Sequence, residues 1–297
     1  MLAWKQLKER AEERQVGGFE DIRLDWPELL KVTAIAGQHL LNVKDAALVS
    51  MRERRQMAGE ILGLLQEMLL GSHPQQHDAV MLMVADVHQQ VGVLDLEDAG
   101  TAHTAPPDAH AHTDHAEAEV GSGGLGGSQG SASVRVRTPV QLLSSALQHF
   151  QVSLQVTRDI ADRSGQHLLV TPLTLTANAL SSLRRFAEAY PMYLQALQLS
   201  ERLGEHVSVI PLLVNFGISL LQTQGGEQAQ GMGAALWAQG QGGMRGRCLE
   251  ARTQLQRAST LIERAGAGAG VGAALSSSVV AERAREFLQI AEARCGQ

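Results

Sequence analysis

The chain has 297 residues, enough to bury one large core or two small ones. Its hydrophobic share of 44% contains only 3% aromatics, and Ala, Leu and Gln, a helix-forming set, dominate instead. A formal net charge of -6, with basic runs such as Arg184-Arg185 that are short and interleaved with acids, excludes the electrostatic footprint of a nucleic-acid binder.

Residues 2 to 15 read as a short polar helix. Glu9, Glu12 and Glu13 in that stretch argue against a transit peptide. At Asp25-Trp26-Pro27-Glu28 a capping residue precedes a first-turn proline and a glutamate, and Leu29, Leu30, Val32, Ile35, Leu40 and Leu41 come after them on one face. A second helix is expected from Asp45 to Leu70, with Leu48, Met51, Met57, Ile61, Leu64, Leu65 and Met68 at helical spacing. Gly71-Ser72-His73-Pro74 ends it and opens a third, which carries Val80, Val84, Val87 and Val91. These make a helical region over 1–97. No apolar run approaches the roughly 18 residues of a membrane span.

Over 98–137 the composition shifts to Ala, Gly, Ser, His and Pro, with Pro106-Pro107 in the middle, and a disordered linker is expected. Four histidines there, His103, His110, His112 and His115, have imidazole spacing that zinc can use. With no cysteine nearby and a flexible flanking chain, they read as low-complexity sequence, so neither metal nor cofactor is expected. Gly126-Gly127-Ser128-Gln129-Gly130 matches a hydrolase elbow only formally, because no strand precedes it.

From 138 to 297 the helical pattern returns. Thr138-Pro139 supplies an N-cap and an N1 proline for a helix faced by Leu142, Leu143, Ala146, Leu147, Phe150, Leu154 and Ile160. Thr171-Pro172 is expected to start the next, with Leu173, Leu175, Ala177, Leu180 and Leu183. A tight turn around Arg184 leads into Arg185–Glu205, where Ala189 and Ala196 lie seven apart among Phe186, Tyr193, Leu197 and Leu199, and Leu203-Gly204 closes the run. Leu212–Leu221 begins another pair. A glycine-rich insert near 230–246 dilutes the helix after it, before Ala251 and Ala258 reappear seven apart. The glycines Gly266, Gly268, Gly270 and Gly272 come after a helix and make no nucleotide loop. A helix from Val279 to Ala293 suits a terminal cap.

Ala146, Ala189 and Ala251 occupy equivalent places, each succeeded seven residues later by a small residue, Ser153, Ala196 or Ala258. A helix pair cannot bury its apolar face alone, so recurring pairs imply a stack. The run Phe186, Ala189, Tyr193, Ala196 resembles the second helix of a tetratricopeptide repeat, in a variety of about forty residues. Leu213-Val214-Asn215-Phe216-Gly217 resembles the Asn-Leu-Gly of its first helix. The resemblance is good over roughly 171–230, weaker over 138–170 and 247–266, and absent before residue 98. It implies an all-α fold of stacked antiparallel helix pairs, an α-solenoid. Pro191, inside the second helix, and the insert after Ala229 depart from the pattern, and the number of complete repeats stays between two and three.

In that family the first helices line a groove that receives a peptide, which makes Asn178 and Asn215 the candidate partner-binding residues, since an amide offers both donor and acceptor. Solvation of the helix is the alternative role for each. The lysine of the family's carboxylate clamp has no counterpart, because Thr174 stands in its place. The chain is therefore expected to be a non-enzymatic scaffold or adaptor for a protein or peptide, with no catalytic constellation in view. A permanent subunit of a multi-protein assembly is the alternative. Two cysteines, Cys248 and Cys295, far apart in sequence, read as reduced thiols of a cytoplasmic protein.

Overall fold

A computed structural model describes residues 50–71, 74–104, 137–204, 206–223, 243–266 and 278–295. The helices expected at 2–15 and from Asp25, the linker from 105 on with His110, His112 and His115, the Gly126–Gly130 run, the insert over 224–242 and the glycines from Gly268 lie outside these residues. Among the described residues every regular element is a helix. We number the α-helices α1 Met51–Gly71, α2 Pro74–Thr104, α3 Pro139–Ser164, α4 Val170–Ser182, α5 Phe186–Leu203, α6 His206–Gln222, α7 Gly243–Gly266 and α8 Val279–Cys295.

The chain forms two compact units, 1–91 and 92–297, so the division falls inside α2 and not in the expected linker. In the first, Ser50 caps α1: its backbone N–H donates to Glu53 Oε2 at 2.7 Å, and Glu53 N–H donates back to Ser50 Oγ at 3.3 Å. The Ser50 N–H, together with the Ser50 hydroxyl that donates to the same Oε2 at 2.8 Å, favours the ionised carboxylate and holds Glu53 below its ordinary pKa. Ala58, Ile61, Leu65 and Met68 of α1 then bury against Val80, Val84, Val87 and Val91 of α2. Leu64 does not join them and stays exposed.

The valine-rich helix also corrects an expectation about composition. Gln76–Gly100 is long and apolar enough to cross a membrane, by length and composition alone. It carries Asp78, Asp86, Asp95, Glu97 and Asp98, and 44% of its most apolar stretch is buried inside the protein. Helix α2 also outruns its expected end by several residues, reaching Thr104, with Leu94 and Ala99 buried.

In the second unit several starts and stops have a local cause. Thr138 caps α3 through a capping box with Gln141, with Pro139 at the first helical position. Helix α4, by contrast, does not begin at Thr171-Pro172. A single 3₁₀ turn, Gln166–Leu169, runs straight into it, so its N-cap is Leu169, already in the right-handed region, and Thr171 lies inside the helix. Arg184 makes the α4–α5 turn with a positive φ of 59°, and Gly204 ends α5 in the left-handed conformation that glycine adopts without penalty. Helix α5 continues through Pro191, which has no N–H to give to the ladder.

Packing follows chain order, α3 on α4, α4 on α5, α5 on α6, α6 on α7 and α7 on α8. Two further contacts join alternate helices, α4 to α6 and α6 to α8. The six small residues singled out by spacing, Ala146, Ser153, Ala189, Ala196, Ala251 and Ala258, have no exposed surface at all. Four residues after the first of each pair stands a large, fully buried side chain, Phe150, Tyr193 or Leu255. Glycines accept two of these. A Cβ on Gly92 of α2 would lie 2.5 Å from the Phe150 ring, and one on Gly217 of α6 would lie 2.7 Å from Leu255 Cγ and 3.3 Å from the Ala251 carbonyl. Ring packing of Phe216 against Tyr193 at 5.2 Å and Tyr190 at 5.5 Å joins α5 to α6.

The cysteines overturn their sequence-based reading. Cys248, early in α7, is disulfide-bonded to Cys295, the last residue of α8. Separation along the chain was no guide to separation in space, because two packed helices bring the start of one beside the end of the other.

Candidate functional site

Asn178 and Asn215 sit on different helices, yet both line one cavity of about 670 Å³, a size common for ligand sites. Helix α4 supplies Asn178, Ser181 and Ser182, and α6 supplies Asn215, Ile218 and Leu221. The floor includes Tyr193, the large residue that α5 places against α4. Its hydroxyl donates to Asn178 Oδ1 at 2.7 Å. Burial pushes the Tyr193 phenol above its ordinary range, opposed in part by the Ser181 hydroxyl and the positive charge of Arg283. Tyr193 is therefore a neutral donor that fixes the Asn178 amide, and with the carbonyl engaged, that amide has its N–H pair left to give.

The remaining wall comes from α8. Arg283, Phe287, Ile290 and Arg294 recur at intervals of four, three and four, one face of a helix, and all four line the cavity. Arg294 also reaches the Leu221 carbonyl at 3.5 Å, which ties α8 to the end of α6. Arg184 adds a third guanidinium from the α4–α5 turn. Among the described residues that line the cavity there is no Asp, Glu, Lys or His. The lining thus combines an apolar strip, Ile218, Leu221, Phe287 and Ile290, with guanidinium, amide and hydroxyl donors around it.

Of the residues read from sequence, the structure brings Asn178, Asn215 and Tyr193 together here. Ala146, Phe186, Ala189, Ala196, Gly217, Ala251 and Ala258 lie elsewhere, buried between helices. Sequence reasoning missed Arg184, which read as part of a short basic run interleaved with acids, and Arg283 and Arg294, because α8 read only as a terminal cap. The signal in the sequence was that Arg283 and Arg294 share the stripe of Phe287 and Ile290. Among the described residues no group of three or more His, Cys, Asp or Glu is placed to hold a metal ion. Compared with known proteins, the chain matches no family model, no curated protein and no solved structure.

Proposed function

We propose that the chain is a non-enzymatic scaffold or adaptor whose stacked helix pairs, of the tetratricopeptide kind, bind an extended peptide segment of a partner protein. In this reading α4 with α5 and α6 with α7 are successive pairs, and α8 is a further first helix that ends the stack. The contacts of α4 with α6 and of α6 with α8 support it, since first helices of neighbouring pairs touch in such a stack. The observation that carries the reading is the cavity into which α4 and α6 bring Asn178 and Asn215. Amides bind a peptide main chain because they match its alternating donors and acceptors, and the apolar strip between them suits a side chain.

The test is a selection of displayed random peptides on the full chain, then affinity measurement of the enriched sequences. Asn178→Ala combined with Asn215→Ala is expected to weaken them by about tenfold, the effect of one to two net hydrogen bonds. Gln195→Ala, on an exposed position of α5, is expected to leave them unchanged. Failure to enrich any peptide, or enriched peptides indifferent to both asparagines, contradicts the proposal.

A further inference from the structure

Helix α8 adds little to the core that it joins. Its buried side chains are three alanines, Ala281, Ala284 and Ala291, and a methyl group is the smallest apolar surface that a side chain brings to a core. Phe287, Leu288 and Ile290 are only partly buried against that core, and Val279 is exposed. Helix α6, against which α8 packs, instead buries Ile210, Leu213, Phe216 and Leu220 among its large side chains. The polar tie from Arg294 to the Leu221 carbonyl is long, at 3.5 Å, and starts from an exposed residue. A covalent link joins α8 more firmly: its last residue, Cys295, is bonded to Cys248 of α7. The two half-cystines differ in access, Cys248 being buried and Cys295 partly exposed. An element with few buried apolar contacts opens before the rest of its unit, so the state of this bond decides how readily α8 opens.

We infer that the Cys248–Cys295 bond is a redox latch on the cavity. Closed, it keeps α8 against α6 and α7, where Arg283, Phe287, Ile290 and Arg294 form one wall. Opened, it leaves α8 held by its alanines, and the helix comes away, which removes that wall and bares Ile218 and Leu221 of α6. The agent that opens it is a dithiol. One thiolate of the dithiol attacks the accessible Cys295 sulfur, the Cys248–Cys295 bond breaks, and Cys248 leaves as a thiolate that takes a proton from solvent. The second thiolate then attacks the mixed disulfide and releases Cys295. Two electrons have passed from the dithiol, which ends as a disulfide, to the cystine, which ends as two thiols. The latch concerns the wall and not what it encloses, so it stands or falls independently of the peptide-binding reading.

Hydrogen–deuterium exchange of the full chain, read by mass spectrometry before and after dithiothreitol, tests this, with thiols counted in parallel. In the oxidised protein the amides of α8 are expected to be as protected as those of α7. After reduction they are expected to exchange at least about tenfold faster than the amides of α4 and α5, which stay protected. Oxidised dithiothreitol is expected to restore the slow exchange. Cys295→Ser is expected to show fast exchange in α8 without reductant and no response to it; should that variant fail to fold, reduction of the natural chain decides. Release of both thiols with α8 exchange unchanged overturns the inference and leaves the bond a static staple. Loss of protection in α4, α5 and α8 together also overturns it, because the bond then supports the whole unit. So does a native protein that yields no thiol to dithiothreitol, or one that shows both thiols before any is added.

Discussion

At the scale of single residues, Arg184 and Gly217 occupy places that favour glycine for different reasons. Arg184 holds a conformation in which its Cβ crowds the following carbonyl, at a cost of about 1–2 kcal/mol. Arg184→Gly should therefore stabilise the fold by about 0.5–1 kcal/mol, after the greater chain entropy of glycine in the unfolded state is discounted. Urea denaturation reads this directly, and a loss of stability would mean that the arginine is held for packing. Gly217 is a glycine for the opposite reason, since its φ is ordinary and its missing side chain is what counts. Gly217→Ala should gain about 1 kcal/mol of helix propensity and lose about 1–3 kcal/mol to overpacking against Leu255 and the unyielding Ala251 carbonyl. Gly59→Ala in α1, with nothing within 4 Å of the added methyl, should show the gain alone. Equal effects at the two sites would argue against the close approach of α6 to α7.

At the scale of elements, small residues seven apart were legible as buried positions because burial on a helix repeats on its own period, whatever the partner. Thr138-Pro139 was legible as a start because capping is settled within four residues. The start of α4 was not, because a preceding 3₁₀ turn had already set the helical course at Gln166, and no local sequence rule announces that. The disulfide and the arginine face of α8 were illegible for a shared reason: each depends on which helix lies beside which. Asn178 and Asn215 could be nominated from their likeness to a known pattern, whereas their common cavity required the fold.

Two predictions belong to these elements. Ala196→Leu should destabilise the second unit by about 1–3 kcal/mol, and Gln195→Leu, one residue along on an exposed position, by no more than about 0.5 kcal/mol. Denaturation midpoints that coincide would make the small residues an accident of composition. The Cys248–Cys295 bond closes a sequence separation of 47 residues, for which the chain-entropy model gives about 4 kcal/mol of stabilisation. Protein purified without reductant should therefore show no titratable thiol until it is denatured and reduced, and its thermal midpoint should fall on reduction. Two reactive thiols in the untreated protein, with a midpoint indifferent to reductant, would return the cysteines to the reduced state that their sequence spacing suggests.

At the scale of the whole molecule, the larger unit joins two properties that are physically linked. Helices with buried small residues pack in chain order, and α6 also touches α4 and α8, with a cavity lined by all three. The same arrangement that buries Ala189 and Ala196 brings Asn178, Asn215 and the arginines to one cavity. The disulfide from α7 to the end of α8 helps hold the helix on which Arg283 and Arg294 stand. If a partner's peptide binds in this cavity, a photo-crosslinking side chain introduced at Ser182, an exposed residue of the lining, should capture it, with the same group at Gln195 as the comparison. Irradiation with a selected peptide should yield a covalent adduct from position 182 that excess unlabelled peptide abolishes, and none from position 195. Adducts from both positions alike, or from position 195 only, would place peptide binding on another face and contradict a binding site between α4, α6 and α8.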